Sequence, residues 1–395
     1  MWHISINILM NKKLGYYTVG NREFFSKIQA CIYATTTNQD PIWHFNNDVF
    51  NNFDWTVEPE ETLDELYNAR TRQLREEYDY VALSYSGGSD SHNILMSFLR
   101  QGLHIDELII NTMEKGSKNL ITTIDPVNKN PETGLLSEHV LQTMPIVRKI
   151  NKYYPNIKIS IYDMTDHLFE TFTAATDGNW IESRREYINP CGTTRYNVLA
   201  EADIKRRLDR GKKVCIIIGT EKPKSYINDV TNDYYLIFND RAVNHGPTQH
   251  TGEYTNFSIE LFYWSPNSCK MLSKQGHVLK KWLENNQLLI SKWYSKNLTP
   301  ENWFNFQEPL IKSLIYTTWN SNWYQADKPI SDWNCEYDNW FFKNHNESLA
   351  YHNWMLGVDY LKNNMFRFVK LNKLGVADSL KPFYHTFKIG KINVI

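Results

Sequence analysis

Between residues 76 and 240, short apolar runs alternate with segments of helical spacing, and this alternation constrains the fold more than any other feature of the chain. Tyr80-Val-Ala-Leu-Ser-Tyr reads as a strand and gives way, through a Ser/Gly loop, to the helical spacing of His92-Asn-Ile-Leu-Met-Ser-Phe-Leu-Arg. Glu107-Leu-Ile-Ile-Asn reads as a second strand, residues 138–153 as a second helix and Ile157-Lys-Ile-Ser-Ile-Tyr as a third strand. Residues 196–210 read as a third helix and Lys213-Val-Cys-Ile-Ile-Ile-Gly-Thr as a fourth strand. Strands separated by helices require right-handed crossovers, so an α/β fold is expected, with a parallel sheet covered by helices on both faces. Ligands of such sheets bind at the carboxyl ends of the strands. The Ser/Gly loop and the segments after strands two, three and four should converge there.

That loop, Ser84-Tyr-Ser-Gly-Gly-Ser-Asp-Ser91, carries the chemistry. Gly87 and Gly88 let the backbone turn sharply and approach an anion closely. Successive main-chain N–H groups in such a turn form an anion-binding nest, to which the following helix adds its positive end. The hydroxyls of Ser86, Ser89 and Ser91 can donate to phosphate oxygens. Asp90 is an unusual neighbour for a phosphate unless Mg²⁺ bridges the two, so a metal-bound nucleotide is expected. The bland alternative is a serine-rich turn capping a helix. No GxxxxGK[ST] and no GxGxxG occurs, so neither a Walker loop nor a Rossmann fingerprint is present.

The string resembles the signature of the PP-loop superfamily of N-type ATP pyrophosphatases, which includes asparagine, GMP and NAD synthetases, tRNA-lysidine and thiouridine enzymes, and PAPS reductases. The resemblance rests on six residues, with the βα pattern around them in agreement. It implies a five-stranded, mostly parallel sheet (an adenine nucleotide alpha-hydrolase-like domain) whose loop holds the pyrophosphate of ATP. It also implies cleavage of ATP to AMP and pyrophosphate, with an acceptor oxygen adenylated and then displaced by a nitrogen or sulfur nucleophile. Carried onto this chain, Ser86, Gly87, Gly88, Ser89, Asp90 and Ser91 form the pyrophosphate and Mg²⁺ site.

Gly219-Thr-Glu-Lys-Pro-Lys-Ser-Tyr226 follows the fourth strand, where several superfamily members place Gly-Thr and polar residues near the α-phosphate. Gly219 and Thr220 would line the site. Lys222 and Lys224 would neutralise charge developing on the phosphates, and Glu221 would hold Mg²⁺ or orient the nucleophile. A solvated loop is the plainer reading. Asn189-Pro-Cys-Gly-Thr-Thr-Arg-Tyr196 opens helix three; Thr193 and Thr194 suit caps, and Arg195 can reach a phosphate or an acidic substrate. Cys191 could act in sulfur transfer, though packing is the commoner fate of such a cysteine. Arg184 with Arg185, and Lys205 with Arg206 and Arg207, form basic clusters that usually mark solvated faces. Trp264 in Tyr263-Trp264-Ser265-Pro266 reads equally well as core, and His92, Asp163 and His167 as caps or packed residues.

The flanks are less informative. Residues 1–75 read as a small α+β extension, with strands at Ile4-Ser-Ile-Asn-Ile-Leu and Ile42-Trp-His-Phe and helices over 23–34 and 59–77. Residues 76–280 form the expected nucleotide domain. Residues 281–395 read as a mostly helical region, with helices over 279–294, 309–319 and 349–361; nine of the 13 tryptophans lie beyond residue 260. With 43 Lys+Arg against 44 Asp+Glu, no strongly basic surface for nucleic acid is expected. Five scattered cysteines without a CxxC pair argue against a disulfide framework, a zinc ribbon or a cluster, and suit the cytoplasm. No signal-peptide pattern opens the chain and no run of about 18 apolar residues occurs, so no membrane association is expected.

Three functions follow. The first is an AMP-forming ligase or amidating enzyme, resembling an asparagine-synthetase-type synthase domain. Trp2 stands where the glutaminase cysteine would be exposed, residues 1–75 are too short for that domain, and the tail Lys-Ile-Asn-Val-Ile lacks the PAPS-reductase cysteine. The second is a nucleobase- or RNA-modifying enzyme whose aromatic C-terminal region stacks on bases, which the near-neutral charge disfavours. The third is a nucleotide-sensing module that binds a protein partner, or another copy of itself, through that region.

Overall fold

Five parallel strands form the central sheet: β4 (Tyr80–Ser84), β5 (Glu107–Thr112), β6 (Lys158–Asp163), β7 (Val214–Ile218) and β10 (Phe257–Leu261), in the order β10-β7-β4-β5-β6. The computed structural model describes residues 12, 15–112, 139–163, 202–220, 222–240, 254–297, 299, 302–319, 347, 349–364 and 383–393. The first four strands fall where the apolar runs place them. The fifth, β10, alternates buried and half-buried residues, a weaker signal than the continuous burial of β7. Both β4 and β7 are buried along almost their whole length, as a sheet covered on both faces requires. Each aliphatic side chain so buried contributes roughly 1.5–3 kcal/mol.

The topology positions the site. From β4 the chain moves outward through β5 to β6, then returns to β7 on the opposite flank of β4 and ends the sheet at β10. The register is direct, with Ala82 beside both Glu107 and Ile216. The order therefore reverses between β4 and β7, and their carboxyl ends flank the crevice where such sheets take ligands. Helix α3 (Leu63–Glu77) opens with a capping box in which Thr62 and Glu65 satisfy each other's backbone N–H. It packs on β4 and on α4 (Ser89–Leu99). Further along, α5 (Met144–Tyr153) precedes β6, and α6 (Ala202–Asp209) packs on β7.

A second, antiparallel sheet of β8 (Lys224–Ile227), β9 (Asp233–Asn239) and β11 (Tyr384–Lys391) has the order β11-β9-β8. A strand at Tyr384–Lys391 departs from the helical reading of 281–395; its alternating burial is short and broken by a bulge between Lys388 and Gly390. A third sheet, β2-β1-β3, joins β1 (Tyr16–Val19), β2 (Arg22–Phe24) and β3 (Ile42–His44). The helix read from residue 23 instead starts at Lys27: Ser26 accepts from the Gln29 N–H and caps α1 (Lys27–Thr37). A single turn, α2 (Asn47–Phe50), follows β3. Ile4 to Leu9 lie outside the described residues.

One apolar core runs from Tyr17 to Ile392 and joins these sheets. Trp264 is part of it, fully buried and stacked on Phe238 with ring centres 3.8 Å apart. At one edge, Lys27 and Asp240 form an ion pair of 2.9 Å with both side chains at 0% exposure. Tyr17 donates to the same carboxylate at 2.7 Å. The helix read over 279–294 is also displaced: α7 spans Cys269–Asn285, started by the turn Pro266–Ser268, and a 3-10 stretch Gln287–Trp293 follows. Beyond it come α8 (Glu308–Ile315) and α9 (Leu349–Asn364), which packs on α1. Among the described residues, no helix is long and apolar enough to cross a membrane.

Candidate functional site

The Ser/Gly loop stands between β4 and α4, at the carboxyl end of the central strand. Gly87 takes φ +80°, a region that costs an L-residue roughly 1–2 kcal/mol. Space excludes a side chain as firmly as torsion does, since a Cβ there would lie 2.4 Å from Thr143 Oγ1 and 2.8 Å from Thr143 Cα. Thr143 crosses the loop because its hydroxyl donates to the Ser86 carbonyl at 2.6 Å. Within the loop, the Ser86 N–H donates to Ser91 Oγ and the Gly88 N–H to Ser86 Oγ, which hold the turn closed. Gly88 is the N-cap of α4 and, having no side chain, makes no side-chain cap bond. The leading N–H groups and positive end of such a helix suit an anion.

The end of β7 closes against this loop. A Cβ on Gly219 would lie 3.0 Å from the Ser91 N and 3.1 Å from Ser91 Cα, so a larger residue would push the two segments apart by a few tenths of an ångström. Three residues on, Lys222 is buried, with its ammonium 3.4 Å from Asp90 Oδ2 and 2.8 Å from Glu308 Oε1. Lys312, one turn along α8, reaches the same Glu308 oxygen at 2.9 Å. Burial alone would push the Glu308 carboxyl up; Lys222 and Lys312 outweigh it and hold it down at about 2. Burial, then the Lys222 charge, lowers the ammonium of Lys312.

Two phenols complete the setting of Asp90. Tyr316 donates to Asp90 Oδ1, and Tyr263 donates to the Asp90 carbonyl at 2.9 Å. Burial, then Asp90, raises Tyr316 well above its ordinary value, so it stays a protonated donor. Asn93 donates in turn to the Tyr263 hydroxyl, and Thr318 to Asn93 Oδ1. His92 lies beside the loop but is pushed down to about 3, by burial and then Arg100, so it is a neutral packed ring rather than a proton carrier.

The structure thus gathers Ser86, Gly87, Gly88, Ser89, Asp90, Ser91, Gly219, Thr220 and Lys222 at one end of the sheet. Lys224 opens β8, and its ammonium lies 5.1 Å from the ring centre of Trp303, against the aromatic segment that precedes α8. Glu221 and Arg195 lie outside the described residues, as do Cys191, Arg184, Arg185 and His167. Arg206 and Arg207 pair with Asp203, and Arg207 covers the ring of Tyr80, the first residue of β4. They therefore belong to the opposite end of the sheet.

Glu308, Lys312, Tyr316, Tyr263 and Thr143 were not legible as site residues. One signal was available for three of them. Glu308, Lys312 and Tyr316 recur every four residues beside the buried Ile311 and Ile315, a polar stripe next to an apolar one.

The donor set suits a phosphate chain and its cation. The Ser89 and Thr220 hydroxyls are buried and make no hydrogen bond among the described residues. Each such group costs roughly 1–3 kcal/mol until an acceptor is supplied. Asp90 offers hard carboxylate oxygens beside them. Among the described residues no three His, Cys, Asp or Glu gather to hold a metal. Mg²⁺ carried by phosphates needs only one or two carboxylates from the protein. No protein-family model matches the chain, and no curated protein matches it in sequence.

Proposed function

We propose that the chain is an AMP-forming ATP pyrophosphatase of the PP-loop type, acting in the cytoplasm on an acceptor that takes up a nitrogen or sulfur nucleophile. One observation carries the reading. At the reversal point of the sheet, a helix N-terminus with a glycine N-cap, two buried hydroxyls with no hydrogen-bond partner among the described residues and a buried lysine meet around a single loop. Mg²⁺·ATP would supply the activated phosphorus and the leaving pyrophosphate. The Ser86–Ser91 loop binds the pyrophosphate through its N–H groups, and Ser89 and Thr220 donate to phosphate oxygens. Lys222 places a positive charge on the side where negative charge develops. Asp90, whose side chain accepts from Tyr316 and whose carbonyl accepts from Tyr263, would hold the cation. Glu221 and Arg195 are assigned on the resemblance alone, to the cation and to the acceptor or a phosphate. Lys224 has the weakest claim, because it is engaged with Trp303.

The test follows label from ATP carrying 32P at the α or γ position. The protein is incubated with Mg²⁺ and fractionated small metabolites, then with RNA. The reading predicts labelled AMP from α-labelled ATP and labelled pyrophosphate from γ-labelled ATP, with one fraction required. Release of inorganic phosphate and ADP would refute cleavage between the α- and β-phosphates. Dependence on RNA would move the acceptor to a nucleobase. Tight binding with no turnover in any fraction would favour the nucleotide-sensing alternative.

A further inference from the structure

Lys222 is buried and already engaged, yet the proposed function requires its ammonium to meet a phosphate. The arrangement around it shows how it can be released. Glu308 Oε1 accepts from two ammonium groups at once, Lys222 at 2.8 Å and Lys312 at 2.9 Å. Their side chains are 5%, 16% and 13% exposed for Lys222, Glu308 and Lys312, so both interactions are largely shielded from water. Glu308 and Lys312 are four residues apart on α8 in the favourable acid-before-base order. If Lys222 leaves, Glu308 still has Lys312 on the same oxygen, and Asp90 still has the Tyr316 phenol on its other oxygen. Leaving a buried carboxylate bare is what normally makes such an exchange prohibitive. Here neither carboxylate is left bare.

We infer that Glu308 stands in for a phosphate oxygen on Lys222 in the ligand-free protein, and sets the affinity of the site by competing with the incoming phosphate chain. The inference rests on the proposed phosphate site and adds its regulation: α8 is the element that must yield Lys222 for the ligand to bind fully. A perturbation of α8 by a partner or by the acceptor would therefore change nucleotide affinity.

The sign of one variant's effect decides the matter. Glu308→Gln keeps the side-chain shape and removes the competing charge. Calorimetric titration of Mg²⁺·ATP, and separately of inorganic pyrophosphate, is compared between wild type and variant. Melting temperature is measured with and without each ligand. A hydrogen bond to a charged group corresponds to roughly tenfold to a hundredfold in affinity, so tightening of at least about tenfold is expected. The ligand-free variant should also melt at a lower temperature, because two buried lysines have lost a shared carboxylate. Should that variant fail to fold, Glu308→Gln/Lys312→Met removes one charge of each sign and is expected to tighten binding likewise. Weaker or unchanged binding in whichever variant folds, beside a wild type that binds, would overturn the competition and leave the phosphate site standing. No binding of ATP or pyrophosphate by the wild type would instead overturn the phosphate site, and this inference with it.

Discussion

Substituting Gly87 by alanine separates two costs that the structure places on one residue. The first is torsional: φ +80° costs an alanine roughly 1–2 kcal/mol. The second is spatial. The new methyl would fall 2.4 Å from Thr143 Oγ1 and 2.8 Å from Thr143 Cα. The threonine hydroxyl cannot swing aside without losing its 2.6 Å bond to the Ser86 carbonyl, a net loss of about 1 kcal/mol. The clash with the Thr143 backbone demands that the start of α5 shift, and overpacking of this kind costs roughly 1–3 kcal/mol. Together these destabilise the protein by about 3–6 kcal/mol. Gly102 is the matched control: its φ is +65°, and an added Cβ would meet nothing within 4 Å. Gly102→Ala should cost only the torsional part. Urea unfolding followed by tryptophan fluorescence should therefore place Gly87→Ala about 2–4 kcal/mol below Gly102→Ala. In a Thr143→Ala background, which removes the hydroxyl but keeps the backbone clash, the gap should narrow without closing. Equal midpoints for the two glycine variants would refute the claim that Thr143 covers the loop.

Two further outcomes follow from the buried charges. Asp240→Asn leaves Lys27 buried without this carboxylate, and should destabilise the protein by about 3–5 kcal/mol. Adding Lys27→Met should recover part of that loss, and no recovery in denaturant titrations would count against the pair as its origin. Glu308 is held at about 2 against an ordinary 4.5, so on acidification the unfolded chain takes up this proton first. Its contribution is complete above pH 4.5 and is lost as the pH falls towards 2. Glu308→Gln should flatten that part of the stability profile relative to wild type; parallel profiles between those pH values would show that the lysines do not hold the carboxyl down.

The centre of the parallel sheet was legible because β4 and β7 are buried along almost their whole length. Val214 to Ile218 and Tyr80 to Leu83 have few other ways to hide their side chains. The loop was legible because Gly87, Gly88 and the serines act locally, within one strand-to-helix turn. The second sheet was not, since β11 must find β9 across about 145 residues and no local pattern announces that pairing. The rest of the site was hidden for the same reason. Asp90 is bound by Tyr263 and Tyr316, 173 and 226 residues away, and aromatic residues in a Trp-rich tail read first as core. Lys222 and Gly219 were found because topology alone, with β7 beside β4, carries them to the loop.

Whether the loop between β4 and α4 binds a magnesium-bound nucleotide is answered by calorimetric titration of Mg²⁺·ATP into wild type, Asp90→Ala and Lys222→Met. Saturable binding is expected for the wild type, with the magnesium-dependent part lost in Asp90→Ala. Affinity should be at least about tenfold weaker in Lys222→Met, the low end for a lost charge-assisted hydrogen bond. A folded wild type that takes up no ATP would contradict the nucleotide site, as would two folded variants that bind as tightly as the wild type.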